Sequence, residues 1–166
     1  MERVSKRNYY LDIAQTVLER ATCLRRVYGA IIVKNDEIIS TGYNGAPRGR
    51  KNCVDLGYCT REQLKVPRGE RYELCRSVHA EMNAIISAAR SECIGGTIYL
   101  AGRDVATGEL IPDLLPCPMC RRMIINAGLS KIVIRRTPST YDILNVQDWV
   151  FHDDSVIDPS ESGEQA

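Results

Sequence analysis

Three side chains suited to grip one metal ion stand in two separate stretches of this chain, so any fold it adopts must bring them to a single point. His79 opens the run His79-Ala80-Glu81, and Cys117 and Cys120 stand in Pro116-Cys117-Pro118-Met119-Cys120. A catalytic zinc takes three protein ligands and keeps its fourth position for water. With His79, Cys117 and Cys120 as ligands, the Glu81 carboxylate is left over to move protons. Two thiolates balance the charge of Zn2+ and the imidazole is neutral, so the ion can still acidify its water.

The same residues set their own local structure. His79 and Glu81 open an apolar series, Ala84, Ile85, Ala88 and Ala89, with the helical period. Cys117 and Cys120 share one face of a second helix, which carries Met123, Ile124 and Ala127 inward and ends at Gly128. Pro116 restricts the residue before it and sets off the turn that aims Cys117. Both ligand groups then sit at helix N-termini, where amides and positive dipole ends favour thiolates. Alone, an H-x-E run suits any solvated helix start, and a C-x-x-C pair suits redox chemistry or two buried thiols. Their joint presence, each on its own helix after a strand-like run, favours the metal.

The chain has 166 residues, 44% of them hydrophobic, which suits one globular domain with a real core. No apolar run approaches the length of a membrane span. The start, Met1-Glu2-Arg3-Val4-Ser5-Lys6-Arg7, lacks a signal-peptide core, so the expected location is the cytoplasm. In a reducing compartment, seven cysteines point to metal binding. With 22 basic and 21 acidic residues, the balance gives no broad footprint for nucleic acid. A small anionic substrate needs only a few placed cations.

Residues 8–22 predict a helix with Leu11, Ala14, Leu18 and Ala21 on its core face. Residues 28–34 and 37–43 predict a hairpin around Asn35-Asp36. The polar, Gly/Pro/Cys-containing stretch 44–76 is too long for a structureless loop. A helix over 79–90, a strand over 97–102, an irregular segment over 103–115, a helix over 117–127 and a strand over 131–136 follow. The alternation in the second half implies a parallel section of sheet. The expected fold class is α/β, a three-layer α/β/α sandwich on a mixed sheet. It places one domain over 1–152 and an acidic, mobile tail over 153–166. Residues 143–151 hold the single Trp and single Phe and read as a packing segment.

The order H-x-E…P-C-x-x-C is the signature of zinc deaminases that act on nucleobases. Other stretches extend the likeness: Thr22-Cys23, Gly29-Ala30-Ile31-Ile32-Val33, Ser40-Thr41-Gly42-Tyr43-Asn44-Gly45-Ala46-Pro47, His79-Ala80-Glu81-Met82-Asn83-Ala84-Ile85 and Asn126-Ala127-Gly128. From about Tyr9 to Arg136 the chain resembles the cytidine deaminase superfamily and, within it, the deoxycytidylate (dCMP) deaminase family. The resemblance implies a cytidine deaminase-like fold, a catalytic zinc, hydrolytic deamination of dCMP to dUMP with release of ammonia, and assembly into dimers or hexamers. It implies further that Asn44 faces the nucleotide sugar and ring and that the Ala80 amide faces the pyrimidine carbonyl. Physically, Asn44 offers a donor and an acceptor on a rigid turn; the same side chain can instead stabilise that turn. The chain departs from the family between Ala101 and Leu115, where a short Thr-rich link is usual and a longer segment stands beside the pocket.

Cys23, Cys53, Cys59 and Cys75 need a separate account. The 44–76 insertion has few apolar residues with which to order itself, and a closed four-ligand zinc would compensate. Some dCMP deaminases hold a structural zinc at positions matching Cys23 and Cys53, with histidines at the other two in some members. Cys59 and Cys75 would take those places here; the other reading is scattered buried thiols. Cys93 has no partner in either scheme. Arg48, Arg103 and Tyr141 are the candidate contacts for a substrate phosphate. Two competing functions remain: a deaminase of another base or nucleoside, such as tRNA adenosine, guanine or cytidine, and a zinc-ribbon module for nucleic acid over Cys53–Cys75. Glu81 speaks against the ribbon, because a purely structural site has no use for a free carboxylate beside an open metal position.

Overall fold

The computed structural model describes residues 1–153. Asn35 and Asp36, at φ 51° and 63°, fold β1 (Arg26–Lys34) back onto β2 (Glu37–Tyr43). Two successive positive φ values make the tight hairpin turn whose twist matches its strands, and Asn and Asp tolerate them. β3 (Thr97–Asp104) pairs antiparallel with β1, β4 (Lys131–Arg135) parallel with β3, and β5 (Tyr141–Asn145) antiparallel with β4. The strand order is β2-β1-β3-β4-β5, a mixed sheet with the parallel section that the alternation predicts.

The helices are α1 (Lys6–Leu18), α2 (Cys53–Leu56), α3 (Thr60–Gln63), α4 (Ala80–Ile86), α5 (Arg90–Cys93), α6 (Pro118–Ala127) and α7 (Val146–Phe151). Alternation along the strands gives each sheet face its own cover. Tyr10 and Leu11 of α1 pack with Ile31, Val33, Tyr99 and Val133, and Ala14 and Leu18 pack with Val27 and Ala101. On the opposite face Ala80 and Ala84 of α4 and Ile124 and Ala127 of α6 pack with Ala30, Ile32, Ile98, Leu100, Ile132 and Ile134. The result is the expected three-layer α/β/α sandwich.

Two glycines let the helices come this close. A Cβ on Gly29 would stand 2.1 Å from the Ala14 carbonyl oxygen of α1. A Cβ on Gly42 would stand 2.3 Å from the Ala80 oxygen and 2.4 Å from the Ala84 nitrogen of α4. Hydrogen bonds then hold α4 against β2: Ser40 Oγ donates to Ala84 O at 2.6 Å, and Asn83 Nδ2 donates to Tyr43 O at 2.8 Å.

Several boundaries differ from expectation for visible reasons. The helix predicted over 8–22 ends at Leu18, because Thr22 N–H donates to Asn44 O at 3.1 Å and leads the chain away. The helix predicted over 79–90 ends at Ile86; the Glu92 carboxylate accepts from Ala89 N–H at 3.3 Å and starts α5. The 44–76 stretch forms α2, α3 and a single 3-10 turn at Tyr72–Leu74. Residues 141–151 form β5 and α7, with Trp149 packed on the main core beneath the Arg121 guanidinium. No helix among the described residues is long and apolar enough to cross a membrane. The expected tail, apart from Asp153, lies outside the described residues.

Gly42→Ala is expected to destabilise the protein by about 1–3 kcal/mol, the usual scale for forcing extra volume into a packed contact. Urea unfolding checks this; a wild-type midpoint for the variant would show that α4 does not depend on the missing Cβ.

Candidate active site

His79 precedes α4 and Cys117 precedes α6, each in extended conformation as the helix N-cap. Pro118 takes the first turn of α6, where its missing N–H costs nothing. Cys120 follows one turn later, and its N–H donates to Cys117 Sγ at 3.5 Å. A two-bond bridge fixes His79 from the other side: Gly45 N–H donates to Val78 O at 3.2 Å, and Val78 N–H donates to Gly45 O at 2.7 Å. The Gly-Tyr-Asn-Gly turn is thereby tied to the residue before the histidine.

His79 Nδ1 lies 3.4 Å from Cys117 Sγ and 3.4 Å from Cys120 Sγ. All three ligand atoms fall within 4.8 Å of one another. A tetrahedral zinc with ordinary Zn–N and Zn–S bonds sets its nitrogen and sulfur ligands roughly 3.5 Å apart. The donors therefore fit the ion in both type and spacing. Glu81 lies beside them, 6% exposed, and lines the same pocket.

The electrostatics match that donor set. A hydrogen bond from Cys120, and further bonding to His79, hold the Cys117 thiol down to about 4, so it is a thiolate at neutral pH. Its bond to Cys117, burial and the Glu81 charge drive Cys120 the other way. Burial works against a charged His79, but Cys117, Cys75 and Glu81 lift it to about 10. Burial pushes the Glu81 carboxyl above the ordinary range. Cys117, Cys120 and Glu81 crowd negative charge into one buried site, and a divalent cation would offset it.

The chain matches the family described as the cytidine and deoxycytidylate deaminase zinc-binding region over residues 4–136. It belongs to that family. A deoxycytidylate deaminase of Mycobacterium phage D29 is 34% identical over 138 residues, a match covering 80% of this chain and 96% of that protein. A deoxycytidylate deaminase of Schizosaccharomyces pombe is 32% identical over 131 residues, covering 79% of this chain but only 37% of the yeast protein. The crystal structure of the cyanophage S-TIM5 dCMP deaminase in apo form superposes with a TM-score of 0.51 at 25% identity, covering 78% of this chain and 81% of that one. The fold class is thus that of the family, and His79, Cys117 and Cys120, inside its zinc-binding region, are a group that could hold the metal.

The other expected site residues fare differently. Asn44 is 4% exposed and lines the pocket, but its side chain braces β1: Oδ1 accepts from Tyr28 N–H at 2.8 Å and Nδ2 donates to Arg26 O at 2.9 Å. One Nδ2 hydrogen remains for a ligand. Ala80 is the first residue of α4, so its N–H has no partner within the helix. Arg48, Arg103 and Tyr141 do not line the pocket. Arg48 lies in a separate groove with Pro47, Asn52 and Asn83, because a turn at Pro47–Arg50 carries it away. Arg103 donates to both carboxylate oxygens of Glu19, at 2.5 and 3.0 Å. Tyr141 packs near Tyr99 on the α1 side of the sheet.

The pocket's cations are instead Arg25, Arg26, Arg61 and Arg68. Tyr28 adds a phenol that burial pushes up to about 12, leaving it a proton donor at neutral pH. Leu114 and Leu115, from the segment that departs from the family pattern, complete an apolar wall. Sequence reasoning sets Arg25, Arg26 and Arg61 beside the thiols of a possible second zinc and does not place them at the pocket, which Cys23, Cys59 and Cys75 also line.

The trio with His79 is the one group of three or more metal-type ligands brought this close among the described residues. Cys23, Cys53, Cys59 and Cys75 are not gathered to that spacing. They do share a neighbourhood: burial raises the Cys53 thiol, and Cys23, Cys59 and Cys75 each raise it further.

Glu81→Gln is expected to keep the zinc and lose roughly 100-fold or more in rate, the usual scale for a positioned acid–base group. Metal analysis and turnover on one preparation check it; loss of zinc, or near-normal activity, would place Glu81 in another role.

Proposed function

We propose that the chain hydrolyses dCMP to dUMP with release of ammonia. One observation carries this reading: Glu81 is buried against three converged ligands without being one of them. A structural metal site would leave no carboxylate so placed. Zinc held by His79, Cys117 and Cys120 supplies, when bound, an acidified water as nucleophile. Glu81 carries the two protons of the attacking water in turn, the first from the water to the ring nitrogen and the second from the new C4 hydroxyl to the departing amine. Over the reaction the bond from C4 to its amino nitrogen breaks, a C4–oxygen bond forms, and ammonia leaves. The Ala80 N–H at the start of α4 faces the developing charge on the base, and the remaining Nδ2 hydrogen of Asn44 serves the sugar. Leu114 and Leu115 keep bulk water from the ring.

The relatives named above support a nucleotide substrate, and so do the four arginines of the pocket. Ammonia release should therefore be faster on dCMP than on deoxycytidine, by one to two decades in kcat/KM, the value of a charge-assisted contact of about 1.5–3 kcal/mol. Arg48→Ala and Arg103→Ala should leave that ratio where it is. Equal turnover of the two substrates, or activity on a purine alone, would remove dCMP while leaving zinc deamination in place.

We propose too that Cys23, Cys53, Cys59 and Cys75 close on a second, structural zinc. Cys53 is the one buried hydrophobic residue of the 44–76 insertion, so the segment lacks an apolar core of its own. Metal analysis should give two zincs per chain, and Cys59→Ser one, with lower thermal stability. One zinc in the wild type, with four thiols open to alkylation, would sink the idea. All seven cysteines are unpaired, which supports a reducing, cytoplasmic setting. Self-association is supported by the groove between α4 and α6, lined by Met82, Ile85, Met119 and Met123.

A further inference from the structure

Arg61 is an anomaly among the pocket's cations. Arg25 pairs with Glu62 at 3.0 Å, Arg26 with Asp104 at 4.0 Å and Arg68 with Asp113 at 3.4 Å. Arg61 is 8% exposed and pairs with no carboxylate among the described residues. Its two hydrogen bonds both leave from Nη2, to Pro67 O at 3.1 Å and Glu70 O at 2.5 Å. Its Nε is buried without any partner. A buried cation so placed costs folding free energy unless an anion comes to it.

The position says which anion. The guanidinium carbon lies 4.7 Å from the centre of the Tyr72 ring, and that ring meets the His79 imidazole edge-on at 5.8 Å. Arg61 and His79 are thus separated by a single aromatic ring, and both line the pocket. Stacking on Tyr72 and the two loop carbonyls fix the guanidinium plane, so little further freedom is lost when it binds. A base whose amine sits at the metal would carry its sugar and phosphate toward the pocket wall. The zinc ligands and Glu81 act on the ring and have no part in recognising that phosphate.

Resting on the reading that the substrate is a nucleotide, we propose that Arg61 is the specificity-determining residue that binds the substrate's monophosphate and sets the preference for nucleotide over nucleoside. The nearby thiols of Cys59 and Cys75 are the competing counter-charge, and the test separates the two.

Wild type, Arg61→Gln and Arg61→Lys are assayed on dCMP and deoxycytidine, with zinc measured in each preparation. The ratio of kcat/KM for dCMP over deoxycytidine should fall about 10- to 100-fold in Arg61→Gln, mainly through KM for dCMP. Arg61→Lys should recover part of it, since charge returns without the planar fork. Zinc content should stay at the wild-type value. A wild-type ratio in Arg61→Gln overturns the proposal. So does an equal fall on both substrates or a loss of zinc, either of which assigns Arg61 to balancing the thiolates. If Arg61→Gln does not fold, Arg61→Lys decides alone through inhibition by dUMP against deoxyuridine: an unchanged ratio of inhibition constants overturns the proposal, and a reduced one upholds it. A wild type with no preference for dCMP removes the nucleotide reading itself, and this proposal with it.

Discussion

Parallel pairing of β3 with β4, Thr97 beside Lys131 through Leu100 beside Ile134, decides where chemistry can occur in this chain. The chain enters β3 after α4 and α5, and enters β4 directly from α6. α4 and α6 cover the same face of the sheet. Helices that lead into parallel neighbours on one face must begin at the same end of the sheet, beyond the strands' carboxyl ends. His79 and Cys117 are the N-caps of those two helices, so the topology makes them neighbours before any metal is considered. The close approach at Gly42 then sets how deep α4 sits on the sheet, and with it the height of His79 and Glu81 above the strands.

That placement also explains how the ligand groups can be buried. Helix N-termini leave backbone N–H groups unpaired, and those groups favour negative charge. The Cys117 thiolate accepts the Cys120 N–H, a donor the helix has no other use for. Glu81 has the opposite surroundings. It lies in the first turn of α4 but is enclosed, and burial keeps its proton on more strongly than in water. One short segment therefore places a metal-type side chain, His79, and, two residues on, a buried carboxyl whose affinity for a proton is raised.

The meeting of His79, Cys117 and Cys120 was legible in the sequence because its determinants are local. Residue type, the spacing of Cys117 and Cys120 and the helical period after His79 needed no knowledge of distant parts. The sandwich was legible for a related reason: Ile31, Val33, Ile98, Leu100, Ile132 and Ile134 alternate or run together as buried strands do. Two of the failures come from long-range polar contacts. α1 stops early because Asn44 accepts from Thr22. Arg103 is withdrawn from the substrate by Glu19, a partner 84 residues away in sequence. β5 gave no signal, since Asp142, Ile143 and Asn145 are exposed along an edge strand and show no clean alternation.

The 44–76 insertion shows why polar contacts defeat a reading of the sequence and still matter to it. Its order comes from caps and ties, not from a core. The Asn52 carboxamide accepts from Thr22 Oγ1 at 2.9 Å, and Arg61 Nη2 reaches across to the carbonyls of Pro67 and Glu70. None of these contacts has a period that could be counted along the chain. Yet they bring Arg61, Arg68, Tyr72 and Cys75 to the pocket wall, opposite the ligands that the sheet delivers. The sandwich supplies the His79, Cys117 and Cys120 trio and the buried Glu81, features tied to topology and so costly to alter. The insertion supplies the charged wall, which can change by single side chains without disturbing β3 or β4. A family built this way can keep one reaction while the insertion changes what the reacting base is attached to.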